Sequence, residues 1–344
     1  MIDKTKVLVT GGAGYIGSHT VVELINDGFE VIIIDNLSNS EMSSIEGIEK
    51  ITGVKPKFIK LDLKNKEKTL NFFKENSDID AIIHFAAYKA VGESVSNPVM
   101  YYENNLNSLM NVLEGMKQNN IKNVVFSSSC TVYGQPEILP VTEKAPIQKA
   151  NSPYGNTKQI AEEILNDTII SGADINTIAL RYFNPIGAHK SALIGELPIG
   201  TPNNLVPFIT QSAAGIRGAL SVYGDDYNTP DGSAIRDYIH VVDLAKAHIT
   251  SVKRLVEKKN KLKFEVFNLG TGIGLSVLEI IKHFINTTKV KIDYKIVDRR
   301  AGDIEQVWAD TSFANKELGW KADTDIEASL LSAWNWEKNI RNIK

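Results

Sequence analysis

The chain of 344 residues has a single cysteine, Cys130, and therefore no pair that could form an internal disulfide. One isolated thiol fits a reducing compartment. Long apolar runs are also missing: the longest, such as VIII at 31–34, have the length of a strand and fall far short of the roughly 20 residues that cross a membrane. The opening residues MIDKTKVLVTGG contain no hydrophobic region of a signal peptide. We therefore expect a cytoplasmic protein with no membrane as a partner.

The chain also lacks a large excess of charge of either sign. The net charge is −3 at pH 7, and there is no block of basic residues, which argues against nucleic acid as a partner. Six histidines are present, but none of them shows ligand spacing such as H-E-x-x-H, so the sequence predicts no metal site. The chain contains 43% hydrophobic and 23% charged residues, which is the composition of a soluble globular protein. Its length is sufficient for two lobes.

The first half alternates short runs rich in Val and Ile with segments of helical periodicity. Strands are predicted at 6–10, 30–35, 57–62, 81–86, 123–129 and 176–183. Strands of this kind, separated by helices, predict a parallel sheet that helices cover on both faces. The predicted fold class is therefore α/β, with a doubly wound parallel sheet.

After Asn184 the sequence becomes rich in Gly and Pro, through NPIGAHKSALIGELPIGTPNN, where a smaller C-terminal α/β lobe is expected to begin. Helices are predicted near 204–216, 241–257, 276–288 and 325–339, and strands near 220–223, 264–268 and 290–297. The predicted domains are 1–184 and 185–344. This boundary is soft by ten residues or more, and we expect some later elements to pack on the first lobe.

A glycine-rich turn follows the first predicted strand and opens a helix, in VTGGAGYIGSHT. Gly12, Gly14 and Gly17 satisfy G-x-G-x-x-G, and Gly11 replaces Gly12 in the looser G-x-x-G-x-x-G. Glycines permit the tight turn, let backbone N–H groups approach a pyrophosphate, and allow the helix to pack closely on the sheet. A plain glycine turn is the alternative, but the strand, turn and helix context favours dinucleotide binding on a Rossmann fold.

Acidic residues end the next two strands. Asp35 lies 18 residues after Gly17, where a carboxylate accepts hydrogen bonds from a ribose 2′-hydroxyl and repels a 2′-phosphate. Asn36, not an arginine, comes next, so NAD is favoured over NADP. Asp62 is placed to meet the adenine, although a turn residue at a strand end is an equal alternative.

Tyr154 and Lys158, in SPYGNTK, lie four residues apart and share one face of a predicted helix. A nearby ammonium stabilises a phenolate and lowers the pKa of the phenol, which could then take a proton from an alcohol. By itself, a Y-x-x-x-K spacing most often reflects surface residues that have no catalytic role. Ser129 strengthens the catalytic interpretation, because it ends the fifth predicted strand, at the edge of the sheet where ligands bind.

Tyrosine, lysine and serine on such a lobe resemble the extended short-chain dehydrogenase/reductase superfamily. The ordered motifs resemble its UDP-glucose 4-epimerase family and cover the chain from residue 6 to about 310. They are VTGGAGYIGSHT, DNLSNS, HFAAYKAVGESVSNP, YYENN, SSSCTVYG, SPYGNTK, LRYFNPIGAH, PNNLVPFI, VYGDDYNTPDGSAIRDYIHVVDLA, FNLGTG and RRAGD.

The resemblance implies reversible C4 epimerisation of UDP-hexoses, in galactose metabolism, through a transient 4-keto sugar and tightly bound NAD. Residues 1–184 would then bind NAD and residues 185–344 the UDP-sugar. Tyr154 would be the acid/base, Lys158 would tune its pKa and anchor the nicotinamide ribose, and Ser129 would orient or relay the proton. The resemblance also implies a homodimer that pairs through helices near 98–118 and 154–172, although their apolar stripes could pack only on the sheet.

The resemblance assigns further positions to the two ligands. On the cofactor side, in addition to the glycines, Asp35, Asn36, Asp62, Tyr154 and Lys158, they are Tyr15, Ile16, Asn39, Ser40, Leu63, Phe85, Ala86, Ala87, Lys89, Asn104, Ser127, Tyr182 and Phe183. On the substrate side, in addition to Tyr154 and Ser129, they are Lys89, Asn184, Asn203, Asn204, Leu205, Tyr223, Arg236, Arg300, Asp303 and Val307. Arginine suits a diphosphate because its planar fork binds phosphate oxygens in pairs.

Structural alternatives exist for several of the substrate positions. Arg236 and Arg300 could be partners in ion pairs, and Tyr223 could simply pack on its strand. Asn203 and Asn204 could form a turn and a helix N-cap.

Two positions bear on which reaction is carried out. Related sugar-nucleotide dehydratases carry an acidic pair after the serine position, whereas Cys130 and Thr131 stand there in this chain. Cys130 is expected to be a buried strand-end thiol.

Val307 replaces a bulky aromatic that some family members carry against the C2 substituent of the sugar. We therefore expect activity on N-acetylated UDP-hexoses too, unless valine is drift at a pocket edge.

Rival interpretations of two classes stay open from the sequence. Within enzymes, they are a sugar-nucleotide dehydratase or decarboxylase and a pentose epimerase. From a different class, the chain could be a non-catalytic dinucleotide sensor or scaffold on the same fold.

Overall fold

The computed structural model describes residues 4–300 and 303–343. Ala301 and Gly302, within the RRAGD motif, lie outside the described residues. The strands are β1 (Lys6–Thr10), β2 (Glu30–Asp35), β3 (Lys57–Lys60), β4 (Ala81–His84), β5 (Asn123–Ser129), β6 (Asn176–Tyr182), β7 (Asn184–Ile186), β8 (Leu220–Tyr223), β9 (Ile235–His240), β10 (Phe264–Leu269), β11 (Gly274–Ser276), β12 (Tyr294–Val297) and β13 (Gln306–Val307). The α-helices are α1 (Tyr15–Asn26), α2 (Met42–Thr52), α3 (Lys66–Glu75), α4 (Val91–Ser96), α5 (Pro98–Gln118), α6 (Pro153–Ile170), α7 (Leu205–Ala213), α8 (Val241–Val256), α9 (Val277–Thr288) and α10 (Ile326–Arg341).

A seven-stranded parallel sheet, in the order β10-β6-β5-β4-β1-β2-β3, forms the centre of the first lobe. Side chains along each strand point alternately to two buried faces of the sheet. In β1, Val7 and Val9 pack into one core and Leu8 packs into the other. Helices α1 and α8 cover the first face, and α3, α5 and α6 cover the second. Burial on both sides explains the nearly continuous apolar strands. The predicted doubly wound Rossmann fold is confirmed.

Strands β1, β2 and β5 have the predicted bounds, whereas β3 and β4 end two residues early. At the end of β3 the cause is local. The Asp62 carboxylate accepts a 2.9 Å hydrogen bond from the N–H of Lys64, which turns the chain away from the sheet. The turn interpretation of Asp62 is thus confirmed, and its contact with adenine stays a prediction.

The second lobe holds two small sheets, β11-β9-β13 with β7 beside β9, and β12-β8. Its core includes Ile186, Val206, Ile209, Phe284 and Trp334, which join these strands to α7, α9 and α10. Strand β10 and helix α8 follow the predicted boundary at 184 in the chain but lie on the large sheet, beside β6 and α1. The boundary itself stays a prediction. In the part of the chain that the structure describes, no helix is long and apolar enough to cross a membrane.

Candidate active site

The predicted cofactor residues follow the carboxyl ends of the parallel strands, where open α/β sheets bind ligands. Gly11, Gly14, Tyr15, Ile16 and Gly17 follow β1; Asp35, Asn36, Asn39 and Ser40 lie at the end of β2; Asp62 and Leu63 follow β3; Phe85, Ala86, Ala87 and Lys89 follow β4; Ser127 lies in β5; Tyr182 ends β6 and Phe183 follows it. Asn104 lies on α5, with Tyr154 and Lys158 on α6. Strand order thus brings together residues that are far apart in the sequence.

The glycine turn is closely packed. Gly11 has a φ of +69°, and a Cβ there would lie 2.9 Å from the N atom of Ala86. A Cβ on Gly17 would overlap the carbonyl oxygen of Gly11. Helix α1 starts directly after this turn, and its first N–H groups have no intrahelical partner by geometry. The turn therefore has the shape and the donors that a pyrophosphate needs.

Asp35 lies beside that turn with its side chain buried. Its carboxylate accepts hydrogen bonds from the N–H of Ala13 at 3.1 Å, the N–H of Leu37 at 2.9 Å and the hydroxyl of Ser40 at 2.9 Å. These bonds fix a negative charge next to the glycines. This arrangement fits the ribose of NAD and disfavours a 2′-phosphate.

The ends of β5 and β6 form the floor of the candidate site. Ser129 lies opposite Tyr182 in the register of these strands. The hydroxyls of Ser127 and Tyr182 form a short hydrogen bond. Lys158 Nζ donates a 2.7 Å hydrogen bond to the carbonyl oxygen of Ser127.

Tyr154 is held at the start of α6 by a local capping arrangement. The Ser152 hydroxyl accepts a 3.1 Å hydrogen bond from the N–H of Gly155, and Pro153 occupies the first turn. Burial raises the pKa of Tyr154 to about 12, and a hydrogen-bonding interaction with the Ser129 hydroxyl opposes that shift. Ser129 therefore favours the ionised form of the Tyr154 phenol, and the catalytic role of the two residues stays a prediction.

Lys158 departs from the simple expectation. Burial lowers the pKa of Lys158 to about 8, against the opposing charge of Glu162. Its Nζ atom lies 6.0 Å from the ring centroid of Tyr154 and 4.9 Å from that of Phe126. Burial of the phenol thus keeps the pKa of Tyr154 above its ordinary value, and the role of Lys158 in tuning it stays a prediction. Desolvation of the phenol outweighs a cation at this separation.

Behind Lys158 lies a buried network that sequence reasoning missed. Glu162, one turn further along α6, pairs with Arg181 through hydrogen bonds of 2.5 and 2.9 Å and accepts a 2.5 Å bond from Ser128. Arg181 also donates to the Tyr133 hydroxyl at 3.0 Å. Only the spacing of Glu162 from Lys158 on α6 could have indicated it.

The predicted substrate residues of the second lobe lie on separate elements. Asn184 starts β7, Asn203, Asn204 and Leu205 lie at the start of α7, Tyr223 ends β8, Arg236 lies in β9, Arg300 and Asp303 follow β12, and Val307 lies in β13. The Arg300 guanidinium pairs with Asp303 at 2.8 Å and lies 5.3 Å from the ring centroid of Tyr223. Arg300 therefore forms an ion pair, and its role as a substrate contact stays a prediction.

Three other positions are informative. Asn204 occupies the N-cap of α7, but its side chain forms no capping bond and donates to Glu196 at 2.6 Å. Arg236 donates to the carbonyl oxygens of Ile235 at 2.8 Å and Glu305 at 3.4 Å. Val307 is buried in a small cluster; the other buried members are Val132, Tyr133, Val141, Phe183 and Ala309.

Metal and thiol chemistry find little support in the described residues. No group of three or more His, Cys, Asp or Glu side chains that could hold a metal ion lies among them. Cys130 directly follows β5 and is half-buried, so the expectation of a buried thiol is only partly met. Desolvation raises the pKa of this thiol to about 12, which agrees with an inert thiol.

Comparison with known proteins extends these observations. A family model described as GDP-mannose 4,6 dehydratase matches residues 8–331. The UDP-glucose 4-epimerase of Haemophilus influenzae is 49% identical over 333 residues, which cover 97% of each chain. The chain belongs to the UDP-glucose 4-epimerase family. This family lies within the extended short-chain dehydrogenase/reductase superfamily that the sequence motifs indicated.

Solved structures of the epimerase family agree. The UDP-glucose 4-epimerase from Bifidobacterium longum in complex with NAD+ and UDP has a TM-score of 0.94 and 47% identity, over 99% of this chain and 100% of that chain. A UDP-Glc/GlcNAc 4-epimerase from Campylobacter jejuni has a TM-score of 0.83 and 35% identity, over 97% and 99% of the two chains.

Proposed function

We propose that this chain is an NAD-dependent isomerase that interconverts UDP-glucose and UDP-galactose by epimerisation at C4, as part of galactose metabolism. The observation that carries this proposal is the convergence of Ser129, Tyr154 and Lys158 at the carboxyl ends of β5 and β6, on the same sheet edge as the glycine turn.

The carbinol carbon C4 has no acidic hydrogen, so its inversion requires oxidation to a ketone and reduction from the other face. When bound, NAD+ supplies this chemistry by accepting a hydride from C4 and returning it. Gly11, Gly14 and Gly17 would hold the pyrophosphate and Asp35 the ribose, since this cradle has the required turn and charge.

Tyr154 would move the proton of the C4 hydroxyl. With a pKa of about 12 the phenol is protonated at neutral pH, which suits the reductive half of the cycle. To act as a base it must ionise, and Ser129 and the cation of Lys158 are the groups placed to stabilise the phenolate. Lys158 is pre-positioned for this by its bond to Ser127.

The second lobe would bind the UDP moiety. Arg300 is exposed, and its guanidinium keeps contact with Asp303 beside the exposed ring of Tyr223. Arg236 lies on the neighbouring β9. The Arg300 guanidinium beside the Tyr223 ring would provide donors for a diphosphate and a surface for a base, and Arg236 would add a second guanidinium.

The family model named for a dehydratase does not change this proposal. Related sugar-nucleotide dehydratases carry an acidic pair after the serine position to eliminate water, and this chain has Cys130 and Thr131 there.

We also propose activity on UDP-GlcNAc and UDP-GalNAc. Val307 is smaller than an aromatic residue, and it lies in register with Arg236 of the predicted UDP site. The C. jejuni relative, a UDP-Glc/GlcNAc 4-epimerase, supports the idea that this fold accommodates the larger sugars.

A homodimer and a cytoplasmic location are further proposals. Helices α5 and α6 carry exposed apolar side chains, among them Val99 at 75% and Ile170 at 73% exposure, which suit pairing with a second copy. The single cysteine fits a reducing compartment.

The test is proton NMR of UDP-galactose with the purified protein and no added cofactor. The anomeric signals should relax to a mixture of UDP-galactose and UDP-glucose, with no net release of NADH. A 4-keto-6-deoxy product or a need for added reductant would instead support a dehydratase or reductase. Nucleotide binding without turnover would support a sensor or scaffold.

A further inference from the structure

Glu196 occupies a junction that none of the sequence motifs indicated. One oxygen of its carboxylate, Oε1, accepts hydrogen bonds from Nζ of Lys89 at 3.0 Å and from Nδ2 of Asn204 at 2.6 Å. The Glu196 side chain is 12% exposed, whereas that of Lys89 is 46% exposed. A largely buried acceptor thus holds two donors that face solvent.

The two donors come from different parts of the molecule. Lys89 follows β4 in the first lobe, and Asn204 is the N-cap of α7 in the second. Both are predicted ligand contacts. Lys89 Nζ also lies 5.9 Å from the ring centroid of Tyr15, at the glycine turn. The negative charge of Glu196 adds to burial in raising the pKa of Tyr15, which places that charge near the turn.

The backbone of Glu196 is fixed independently of its carboxylate. Its carbonyl oxygen accepts a 2.9 Å hydrogen bond from Nε1 of Trp336. A Cβ on the preceding Gly195 would overlap the indole of Trp336, so this segment lies directly against α10. The backbone position of Glu196 is therefore fixed, and its carboxylate in turn holds the side chains of Lys89 and Asn204.

An unpaired carboxylate would repel a diphosphate, and this one is neutralised by Lys89. We propose that Glu196 is a positioning residue for nucleotide-sugar binding, which sets the positions of Lys89 and Asn204 across the cleft through their shared oxygen. This inference rests on the proposed function for the identity of the ligand. It predicts that Glu196 governs substrate affinity more than the chemical step.

The test compares three Glu196 variants with a matched control. In Glu196→Ala both hydrogen bonds are lost, and the KM for UDP-galactose should rise about tenfold or more, with kcat within about threefold and the bound NAD unchanged. In Glu196→Gln the amide oxygen still accepts both bonds, so KM should return to within about threefold of the original. In Glu196→Asp the shorter side chain cannot reach both donors, and KM should rise.

The control is Glu114→Ala, which removes a glutamate that also pairs with a lysine at 3.0 Å, at the exposed contact of α3 and α5. It should leave KM and kcat unchanged. A double variant Glu196→Ala/Lys89→Met should lose less affinity than the sum of the two single losses, because the part of the Glu196 effect that passes through Lys89 is already absent in Lys89→Met. Additive losses would contradict that coupling and overturn the proposal.

Other results would overturn it as well: an unchanged KM in the Ala and Asp variants, or a Gln variant as impaired as Ala. If the Ala variant fails to fold, the Asp and Gln variants still decide. Calorimetric binding of UDP-galactose to Tyr154→Phe, with and without Glu196→Gln or Glu196→Asp, needs no turnover. The role of Glu196 can therefore be judged even if the unaltered protein does not epimerise, an outcome that would refute the proposed function alone.

Discussion

Lys158 Nζ donates a 2.7 Å hydrogen bond to the carbonyl oxygen of Ser127, which fastens the catalytic helix α6 to the carboxyl end of β5. The same ammonium lies 4.9 Å from the ring centroid of Phe126. Burial at this place lowers the pKa of Lys158 to about 8. The lysine is therefore held firmly, but its charge is sensitive to pH in the range where such an enzyme is assayed.

The first prediction concerns this charge. Tyr154 must ionise from a pKa of about 12 while Lys158, with a pKa of about 8, keeps its proton. Below pH 8 kcat should therefore rise by about tenfold per unit, and above pH 8 it should level off, because loss of the ammonium then cancels the gain in phenolate. The reason is that the ammonium stabilises the Tyr154 phenolate. Steady-state kinetics with UDP-galactose across pH 6 to 10 (roughly the range over which a pKa near 8 is resolved) provide the measurement.

The matched variant is Lys158→Arg. A guanidinium stays charged throughout this range, so kcat should continue to rise above pH 8 even if the rate is lower overall. A kcat that rises through pH 8 in the unaltered protein would show that the ammonium is not required.

The second prediction is that Tyr154→Phe lowers kcat by about 10²- to 10⁴-fold, because only the proton-carrying hydroxyl is removed. The ring remains, so bound NAD and thermal stability should stay close to those of the unaltered protein. Tyr294→Phe is the control, since Tyr294 is 46% exposed on β12. Retention of most of the activity in Tyr154→Phe would exclude the phenol as the acid/base.

The parts of the site that the sequence predicted correctly follow local rules. The glycine turn, Asp35 at the end of β2 and the shared helix face of Tyr154 and Lys158 depend on spacing within one or two elements. Those rules fix backbone geometry and the direction of neighbouring side chains, so they can be applied without a structure.

Burial and long-range pairing could not be predicted in that way. The sign of the Tyr154 pKa shift depends on how much solvent the tertiary packing removes from the phenol, and spacing does not carry that information. Glu162 and Arg181 pair across 19 positions, and Glu196 reaches Lys89 across 107. Neither separation is a period of a helix or a strand.

The third prediction concerns the glycine turn. Gly17→Ala places a Cβ against the carbonyl oxygen of Gly11, so the turn must open. We expect loss of co-purifying NAD and a decrease of about 1–3 kcal/mol in the free energy of unfolding. Gly218→Ala is the control, because a Cβ there meets no atom within 4 Å. A Gly17→Ala protein that retains NAD in full would contradict the pyrophosphate role of the turn.

The fourth prediction tests the buried pair behind Lys158. Glu162→Gln leaves the Arg181 guanidinium buried without its counter-charge, which should cost about 3–5 kcal/mol in the free energy of unfolding. Urea denaturation followed by circular dichroism measures it. Asp27→Asn, which removes a more exposed partner of Lys253, should cost less than about 1 kcal/mol. Equal losses in the two variants would mean that burial does not increase the contribution of the Glu162–Arg181 pair to the free energy of unfolding.

The fifth prediction addresses substrate range through Val307. The side chain is buried beside Phe183 and Tyr133, and its register partner on β9 is Arg236. Val307→Tyr should lower turnover of UDP-N-acetylglucosamine at least about tenfold while UDP-galactose turnover changes little, because added bulk opposes only the larger C2 substituent. Val307→Ile, which adds one methylene and no ring, should leave the ratio of the two activities near its original value. Coupled assays on both substrates give this ratio, and thermal unfolding separates a specificity effect from overpacking. Negligible N-acetylhexosamine turnover in the unaltered protein that Val307→Tyr leaves unchanged would reject the proposal, since valine would then confer no extra room.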